Sequence, residues 1–251
     1  MIQLWWSDFK LSAIEFRKTL ERDRMLHRYQ KWAQGQSTWD ETLVDSAARL
    51  KEKVVTSWRY AFKRTMDFTI SLAVFLLALP VMAFIALAIR LETKGPVIYS
   101  QIRVGMRGRL FNMLKFRTMV QDAEVKSGPV WAKANDPRIT RVGRFLRKTH
   151  LDELPQLFNV ISGEMSLVGP RPERPYFVNE FRKIIPHYDR RLCAKPGITG
   201  LAQIKRRYDE SIADVRQKVR YDVLYIQKMC PLLDVKVMAL TALAVVMRTG
   251  R

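Results

Sequence analysis

The stretch FTISLAVFLLALPVMAFIALAI, residues 68–89, decides how the rest of the chain must be arranged. Its 22 residues carry no charge, and at about 1.5 Å per residue they are long enough to cross roughly 30 Å of hydrocarbon. A buried core helix is the alternative, but no other run of this kind occurs in a chain whose remainder is so basic. The stretch therefore predicts insertion into a membrane.

Pro80 and the flanking charges predict how this stretch enters the membrane. Proline inside a helix removes a backbone hydrogen bond and kinks the helix, and Pro80 lies near the middle of the run. Both flanks are basic, and positive charge marks the cytoplasmic side of a membrane segment. A helix broken near Pro80 could enter and leave through one leaflet, so re-entry is predicted over spanning. The basic residues are Arg59, Lys63 and Arg64 before the run and Arg90, Lys94, Arg103, Arg107 and Arg109 after it.

The composition limits the classes of partner. A formal net charge of +20 on 251 residues attracts polyanions, which include nucleic acid, anionic lipid headgroups and phosphorylated substrates. The 2 cysteines form no CxxC pair and the 3 histidines complete no zinc-finger spacing, so no disulfide framework or zinc finger is predicted and a reducing cytosolic environment fits. The opening residues, MIQLWWSDFK, lack the features of a secretory signal peptide, so a mature start is expected.

The chain divides into three predicted regions. Residues 1–62 are predicted to be a helical N-terminal extension, residues 63–94 the membrane helix, and residues 95–251 an α+β domain. In that domain, PVIYSQIRVG and RLFNMLKF predict a hairpin around Gly105 to Gly108, and helical periodicity follows. The C-terminal segment LLDVKVMALTALAVVM is too short in its apolar part to span, so it is predicted to lie along the interface or against the core.

The segment NDPRITRVGRFLRKTHLDELPQLFNVISGEMSLVGPRP, residues 135–172, holds most of the candidate chemistry. Its arginines recur every third residue and would form one cationic stripe on a helix, with no acidic partner at helical spacing before Asp152. A solvated face is the simple interpretation, but their mutual repulsion favours contact with phosphates or headgroups. The stripe consists of Arg138, Arg141, Arg144 and Arg147, with Lys148 beside it.

Asp152 and Glu153 have two interpretations. Thr149 and Asp152 stand at the spacing of a capping box, in which both would only stabilise the start of a helix. A carboxylate near a helix start also stays ionised and can attack phosphorus, while its neighbour can bind a divalent metal or handle a proton. Pro155 would bend the backbone just after the pair. A DE dipeptide alone does not decide between these roles.

Two further motifs supply cations. GEMSLVGPRP, residues 163–172, surrounds Arg171 with glycine and proline, so a rigid turn would present one guanidinium that suits bidentate phosphate binding. A structural turn with an exposed arginine is the alternative. Lys115 and Arg117, in the motif KFRTM at 115–119, follow an apolar strand and add two positive charges, or simply end an amphipathic strand.

In their order, KFRTM, NDPRITRVGRFLRKTHLDELPQL (135–157) and GEMSLVGPRP resemble the bacterial sugar transferase family, the monotopic polyprenyl-phosphate phosphoglycosyl transferases, over roughly residues 60–250. The resemblance implies a re-entrant helix, interfacial amphipathic helices and a mostly helical catalytic domain that needs Mg2+. It makes Asp152 the covalent nucleophile and Glu153 its partner for metal or protons, so both are candidate metal ligands. It implies phosphate contacts for Lys115, Arg147 and Arg171, to which the neighbouring Arg117 is added.

The implied reaction transfers a sugar phosphate from a nucleotide sugar, expected to be a UDP-sugar, to polyprenyl phosphate. The expected location is the cytoplasmic leaflet of the bacterial inner membrane, with lipid and a possible second copy of the chain as partners and without nucleic acid. The non-enzymatic alternative is a basic, membrane-anchored nucleic-acid-binding or scaffold protein, for which a charge of +20 is equally natural. Such a protein has no use for adjacent carboxylates beside an arginine stripe.

Overall fold

The fold combines one long apolar helix with a domain of short helices and two small sheets. The computed structural model describes residues 57–121, 123, 136–205 and 211–247. These belong to one compact unit, residues 49–251, while the other unit, residues 1–48, lies outside the described residues, as does most of the predicted extension 1–62. The predicted mixture of helices and strands is confirmed.

The first helix, α1, extends from Ser57 to Glu92 and contains the apolar run. Within the described residues it is the one helix long and apolar enough to cross a membrane. The helix continues through Pro80 as one element, so the re-entrant bend expected there stays a prediction. The φ angle of proline is compatible with a helix, and losing one backbone hydrogen bond does not end a helix of this length.

Both ends of α1 contact the domain that follows it. Near its start, Lys63 Nζ lies 2.7 Å from Asp234 Oδ2, and Asp67 accepts hydrogen bonds from Ser166 Oγ at 2.8 Å and Leu167 N at 3.2 Å. At its end, the carboxylate of Glu92 accepts the backbone N–H groups of residues 141 and 142 at 2.7 and 3.0 Å. Between these ends, large apolar side chains such as Leu77 and Phe84 are exposed.

The predicted hairpin is confirmed. Strands β1, Ile98–Val104, and β2, Leu110–Phe116, pair antiparallel through a 3-10 turn at Met106–Gly108. Buried side chains from β2, Phe111 and Met113, join the main hydrophobic core. The last two residues of β2, Lys115 and Phe116, begin the KFRTM motif, so the hairpin fixes where this motif leaves the sheet.

Helix α2, Arg141–Thr149, leads directly to the acidic pair. Thr140 caps its start by accepting the N–H of Gly143 at 2.9 Å. The capping box predicted at Thr149 is wrong, because the Thr149 hydroxyl donates backward to the carbonyl of Phe145 at 2.9 Å. His150, with φ 57° and ψ 14°, then ends α2 in the left-handed region and turns the chain into a 3-10 turn, Leu151–Glu153.

The second sheet supports the proline-rich loop. Helix α3, Gln156–Ile161, precedes strand β3, Ser166–Val168, which pairs parallel with β4, Gly197–Thr199. A Cβ on Gly169 would lie 2.3 Å from the Lys195 carbonyl oxygen, so only glycine allows this approach. The strand therefore releases the chain into Pro170 and Arg171 at a fixed position.

The remaining helices pack around these strands. They are α4, Pro175–Ile184, α5, Leu201–Lys205, α6, Ile212–Lys228, and α7, Pro231–Val246, with a 3-10 helix at Tyr188–Cys193. Helix α7 contains the predicted C-terminal segment and has two distinct faces. Asp234 and Val237 are buried in the domain, whereas Leu232 and Leu243 are exposed.

Candidate active site

Glu153 joins two cations from other parts of the fold. Lys115 Nζ, at the end of β2, lies 2.8 Å from Glu153 Oε1. Arg171 Nη2, in the loop after β3, donates to the same oxygen at 2.6 Å, and Arg171 Nη1 lies 3.4 Å from Oε2. Three segments that are distant in sequence therefore meet at one carboxylate.

The charges of this triad stabilise one another. Burial by itself would raise the pKa of Glu153, but Arg171 and Lys115 outweigh burial and hold that pKa well below its usual range. Attraction to Glu153 raises the pKa of Arg171. Burial lowers the pKa of Lys115, although Glu153 opposes the effect. Glu153 is consequently a fixed anion at neutral pH, and it is a poor proton donor.

Asp152 differs from its neighbour. Its side chain is largely buried, with 7% of the residue exposed, and no hydrogen bond or ion pair to its carboxylate occurs within the described part of the chain. Burial raises the pKa of Asp152, whereas Lys115, Arg147 and Arg171 oppose that rise. A carboxylate that is surrounded by cations but not committed to any of them is available to a substrate or a metal ion.

Arg147 lies on α2, near the acidic pair. Its Nε donates to Thr118 Oγ1 at 2.9 Å, so the threonine of the KFRTM motif orients this guanidinium. The structure thus brings Lys115, Arg147 and Arg171 into the surroundings of Asp152, where the sequence predicted phosphate contacts. Thr118 was not among the predicted site residues, although its place in the KFRTM motif could have indicated it.

Arg117 does not join this group. Its guanidinium donates to the Thr93 carbonyl at 2.9 Å and to the Lys94 carbonyl at 2.8 Å, just past the end of α1. The residue is buried with 6% exposed. Arg117 is thus held at the end of α1, where carbonyls left unpaired by the helix attract a cation, and its contact with substrate phosphate stays a prediction.

The predicted arginine stripe is also shorter than expected. Arg138 precedes α2 and pairs with Asp136, with Nε 2.8 Å from Oδ1, so its charge is neutralised locally. Asp136 lies only two residues from Arg138 along the chain, in a turn and not at helical spacing. Arg141 and Arg144 are on the helix and exposed. Only Arg147 of the stripe is near Asp152.

The acidic pair is a reasonable partner for Mg2+ when phosphate is present. Within the described residues, no three His, Cys, Asp or Glu side chains form a cluster that could hold a metal ion alone. Mg2+ is usually bound by one or two carboxylates together with substrate phosphates. Asp152 has an uncommitted carboxylate for this purpose, whereas Glu153 already carries two cations. The residues present therefore fit a metal ion that arrives with the substrate.

The fold and site define a class of protein. The chain matches the bacterial sugar transferase family over residues 58–248, and it belongs to this family. The apolar run of α1, the acidic pair and the Arg171 loop all lie inside the matched region. The enzyme class is that of the undecaprenyl-phosphate sugar phosphotransferases.

Three curated relatives illustrate the similarity. The chain is 48% identical over 167 residues to a candidate undecaprenyl-phosphate N-acetylgalactosaminyl 1-phosphate transferase of Bacillus subtilis (strain 168), covering 66% of this chain and 88% of the relative. It is 45% identical over 177 residues to the UDP-N-acetylgalactosamine-undecaprenyl-phosphate N-acetylgalactosaminephosphotransferase of Aeromonas hydrophila, covering 70% and 42%. It is 42% identical over 181 residues to the UDP-glucose:undecaprenyl-phosphate glucose-1-phosphate transferase of Escherichia coli (strain K12), covering 71% and 39%. The chain thus spans less than half the length of the latter two.

Proposed function

We propose that this enzyme transfers a sugar-1-phosphate from a UDP-sugar to undecaprenyl phosphate through a covalent phosphosugar intermediate on Asp152. The observation that carries the proposal is the contrast between two adjacent carboxylates. Glu153 is held by Lys115 and Arg171 at 2.8 and 2.6 Å, while Asp152 remains uncommitted among the same cations. Such a reaction would be the first membrane step in making a surface polysaccharide or glycoconjugate.

The first displacement would form a mixed anhydride. A carboxylate oxygen of Asp152 attacks the phosphorus that bears the sugar, and the bond from that phosphorus to the bridging oxygen of the diphosphate breaks. The electron pair leaves with UMP. In the second displacement, an oxygen of undecaprenyl phosphate attacks the same phosphorus, and the Asp152 carboxylate is released unchanged.

The cations would stabilise charge as it develops on the phosphates. Arg171 and Lys115 are already fixed by Glu153, so they need little reorganisation when substrate arrives. Arg147, oriented by Thr118, approaches from α2. When bound by Asp152 or Glu153 together with substrate phosphates, Mg2+ would supply further charge neutralisation for the diphosphate.

The contacts of α1 support a re-entrant arrangement at the cytoplasmic leaflet. The start of the helix is bonded to β3 and α7 through Lys63 and Asp67, and its end to α2 through Glu92. A straight crossing would put these ends on opposite faces of a bilayer that is about 30 Å thick. Contacts to one domain at both ends favour a helix whose ends lie on the same side, with the exposed apolar middle in lipid.

A nucleic-acid-binding protein is the alternative that the charge allows. The thermal midpoint of the detergent-solubilised protein discriminates between them, because a ligand that binds only the folded state raises that midpoint. A nucleotide sugar with Mg2+ should raise it, and DNA or RNA should not. A midpoint that rises with DNA or RNA, and not with the nucleotide sugar, would favour a nucleic-acid-binding protein.

The direct test is a donor screen for UMP release. UDP-glucose, UDP-galactose and UDP-N-acetylgalactosamine are the donors to compare, since the names of relatives include these sugars. With undecaprenyl phosphate and Mg2+, at least one donor should give UMP and a lipid-linked sugar in equal amounts. UMP formation without lipid product during sustained turnover would instead indicate a hydrolase.

A further inference from the structure

The loop that carries Arg171 has an unusually complete set of backbone contacts. Each carbonyl from Pro170 to Glu173 accepts a hydrogen bond from a group outside the loop. The donors are Gly197 N at 2.9 Å for Pro170, Arg191 Nη2 at 2.8 Å for Arg171, Arg103 Nη1 at 3.0 Å for Pro172 and Val104 N at 2.9 Å for Glu173. The path of the backbone past Arg171 is therefore fixed at every residue.

Arg191 makes the contact to Arg171 itself. The residue is buried, with 2% exposed, and it belongs to the 3-10 helix that precedes β4. Its Nε and Nη2 lie 2.9 and 2.8 Å from Asp222 Oδ2, and its Nη1 donates to the hydroxyl of Tyr188 at 2.8 Å. The guanidinium is thus held by two buried partners while Nη2 points at the loop.

This arrangement restrains a torsion of the loop that the two prolines leave free. Pro170 and Pro172 have their φ angles fixed by the ring, so the orientation of the peptide group between Arg171 and Pro172 depends on the ψ angle of Arg171. The bond from Arg191 to the Arg171 carbonyl sets that angle. The cost of desolvating two buried charges can offset their attraction, so stability alone does not explain the buried pair of Arg191 and Asp222.

We propose that Arg191 is a positioning residue for sugar phosphate transfer, which acts by holding the Arg171 backbone so that the guanidinium meets Glu153. The proposal deepens the proposed function and rests on it. Arg191 itself touches neither Glu153 nor Asp152 in any contact within the described residues. Asp222 and Tyr188 serve this role indirectly by orienting Arg191.

The first test measures the loop without any substrate. Amide hydrogen exchange of peptides covering residues 165–175 is followed in the full-length, detergent-solubilised protein and its Arg191→Met variant. Because the bond from Arg191 ends on a carbonyl, its loss should act by loosening the loop, and exchange of amides such as Gly169 N–H, which donates to the Thr199 carbonyl at 2.9 Å, should become roughly tenfold faster or more. Arg182→Met is the matched control, because it breaks the 2.6 Å pair with Asp189 in the same 3-10 helix, whereas the bond to the Arg171 carbonyl comes from Arg191. Unchanged loop exchange in Arg191→Met would overturn the proposal.

The second test is a double-mutant cycle on UMP release, with Arg171→Ala, Arg191→Met and the combined variant. If Arg191 acts through Arg171, Arg191→Met should change the same parameter, kcat or KM, as Arg171→Ala does. Its effect should shrink to about twofold or less once Arg171 is absent, because the two residues form one coupled unit. The fall in melting temperature caused by Arg191→Met should be similar in both backgrounds. Equal rate effects in both backgrounds would overturn the proposal.

Two further comparisons distinguish a misfolded variant, or failure of the proposed function, from failure of the proposal for Arg191. If Arg191→Met does not fold, Tyr188→Phe removes one partner of Arg191 while keeping the ring, and it should give the same pattern in milder form. If the wild type releases UMP from none of the three donors, the proposed function fails. The exchange measurement then still decides whether Arg191 fixes the loop.

Discussion

Arg171 Nη2 lies 2.6 Å from Glu153 Oε1, and this contact joins the loop after β3 to the turn that carries Asp152. Glu153 therefore holds the Arg171 guanidinium beside the turn that carries Asp152. The sequence allowed Glu153 to serve as a metal ligand or a proton carrier. Because Arg171 and Lys115 keep its pKa well below the usual range, the proton-carrier role is disfavoured at neutral pH.

Arg171→Lys is expected to lower UMP release by about tenfold or more although the positive charge is retained. Lysine has no planar fork, so it cannot contact both Glu153 oxygens in the way that Arg171 does. The rate is measured at saturating undecaprenyl phosphate, beside the melting temperature of each variant. Arg220→Lys, at an exposed position on α6, is the control and should behave as wild type. A wild-type rate in Arg171→Lys would mean that only charge matters at this position.

The pH profile should have an alkaline limb set by Lys115. Burial lowers the pKa of Lys115 from the ordinary 10.5, so the ammonium loses its proton at a lower pH than an exposed lysine does. Loss of that charge removes one of the two cations on Glu153 and should reduce turnover. Lys115→Arg should move the alkaline limb to higher pH, because arginine stays protonated. An alkaline limb at the same pH in both proteins would assign it to another group.

Both ends of α1 should lie on the cytoplasmic side. Single cysteines at Tyr60 and Lys94, two exposed positions near the ends of the helix, are introduced after Cys193 and Cys230 are replaced by serine. In intact cells neither should react with an impermeant thiol reagent, and both should react after the membrane is permeabilised. Labelling of one position from outside, with the other protected, would indicate a spanning helix instead.

Local patterns explain what could be predicted from the sequence. The hairpin follows from alternating apolar residues around two glycines, and α1 follows from a long uncharged run, because both depend on neighbours along the chain. Asp152, Glu153, Lys115 and Arg171 were found because they belong to ordered motifs that resemble one family. The convergence of Lys115 and Arg171 on the Glu153 carboxylate confirms that the motifs meet in space.

Contacts between distant residues explain what could not be predicted. Arg117 lies in a motif of candidate cations, but the carbonyls that bind it come from Thr93 and Lys94, at the end of another element. The capping box at Thr149 fitted the spacing, yet the left-handed His150 ends one helix there instead of starting the next. Arg191 carried no local signal, since its contact to Arg171 spans twenty residues of sequence.

The central claim is that Asp152 forms a covalent bond to the phosphosugar, and one measurement tests it most directly. Wild-type protein is mixed with Mg2+ and its UDP-sugar in the absence of undecaprenyl phosphate. UMP is then quantified, and the mass of the intact protein is measured by mass spectrometry. Up to one equivalent of UMP per active site should appear, together with an added mass equal to the sugar phosphate.

Asp152→Asn should give neither signal, because a neutral amide cannot attack phosphorus, while its melting temperature should change little, since asparagine has nearly the same size. Arg138→Ala, which alters an arginine paired with Asp136 outside the site, should keep the added mass. A folded Asp152→Asn protein that releases UMP and gains the sugar phosphate as the wild type does would contradict the assignment of Asp152 as the nucleophile.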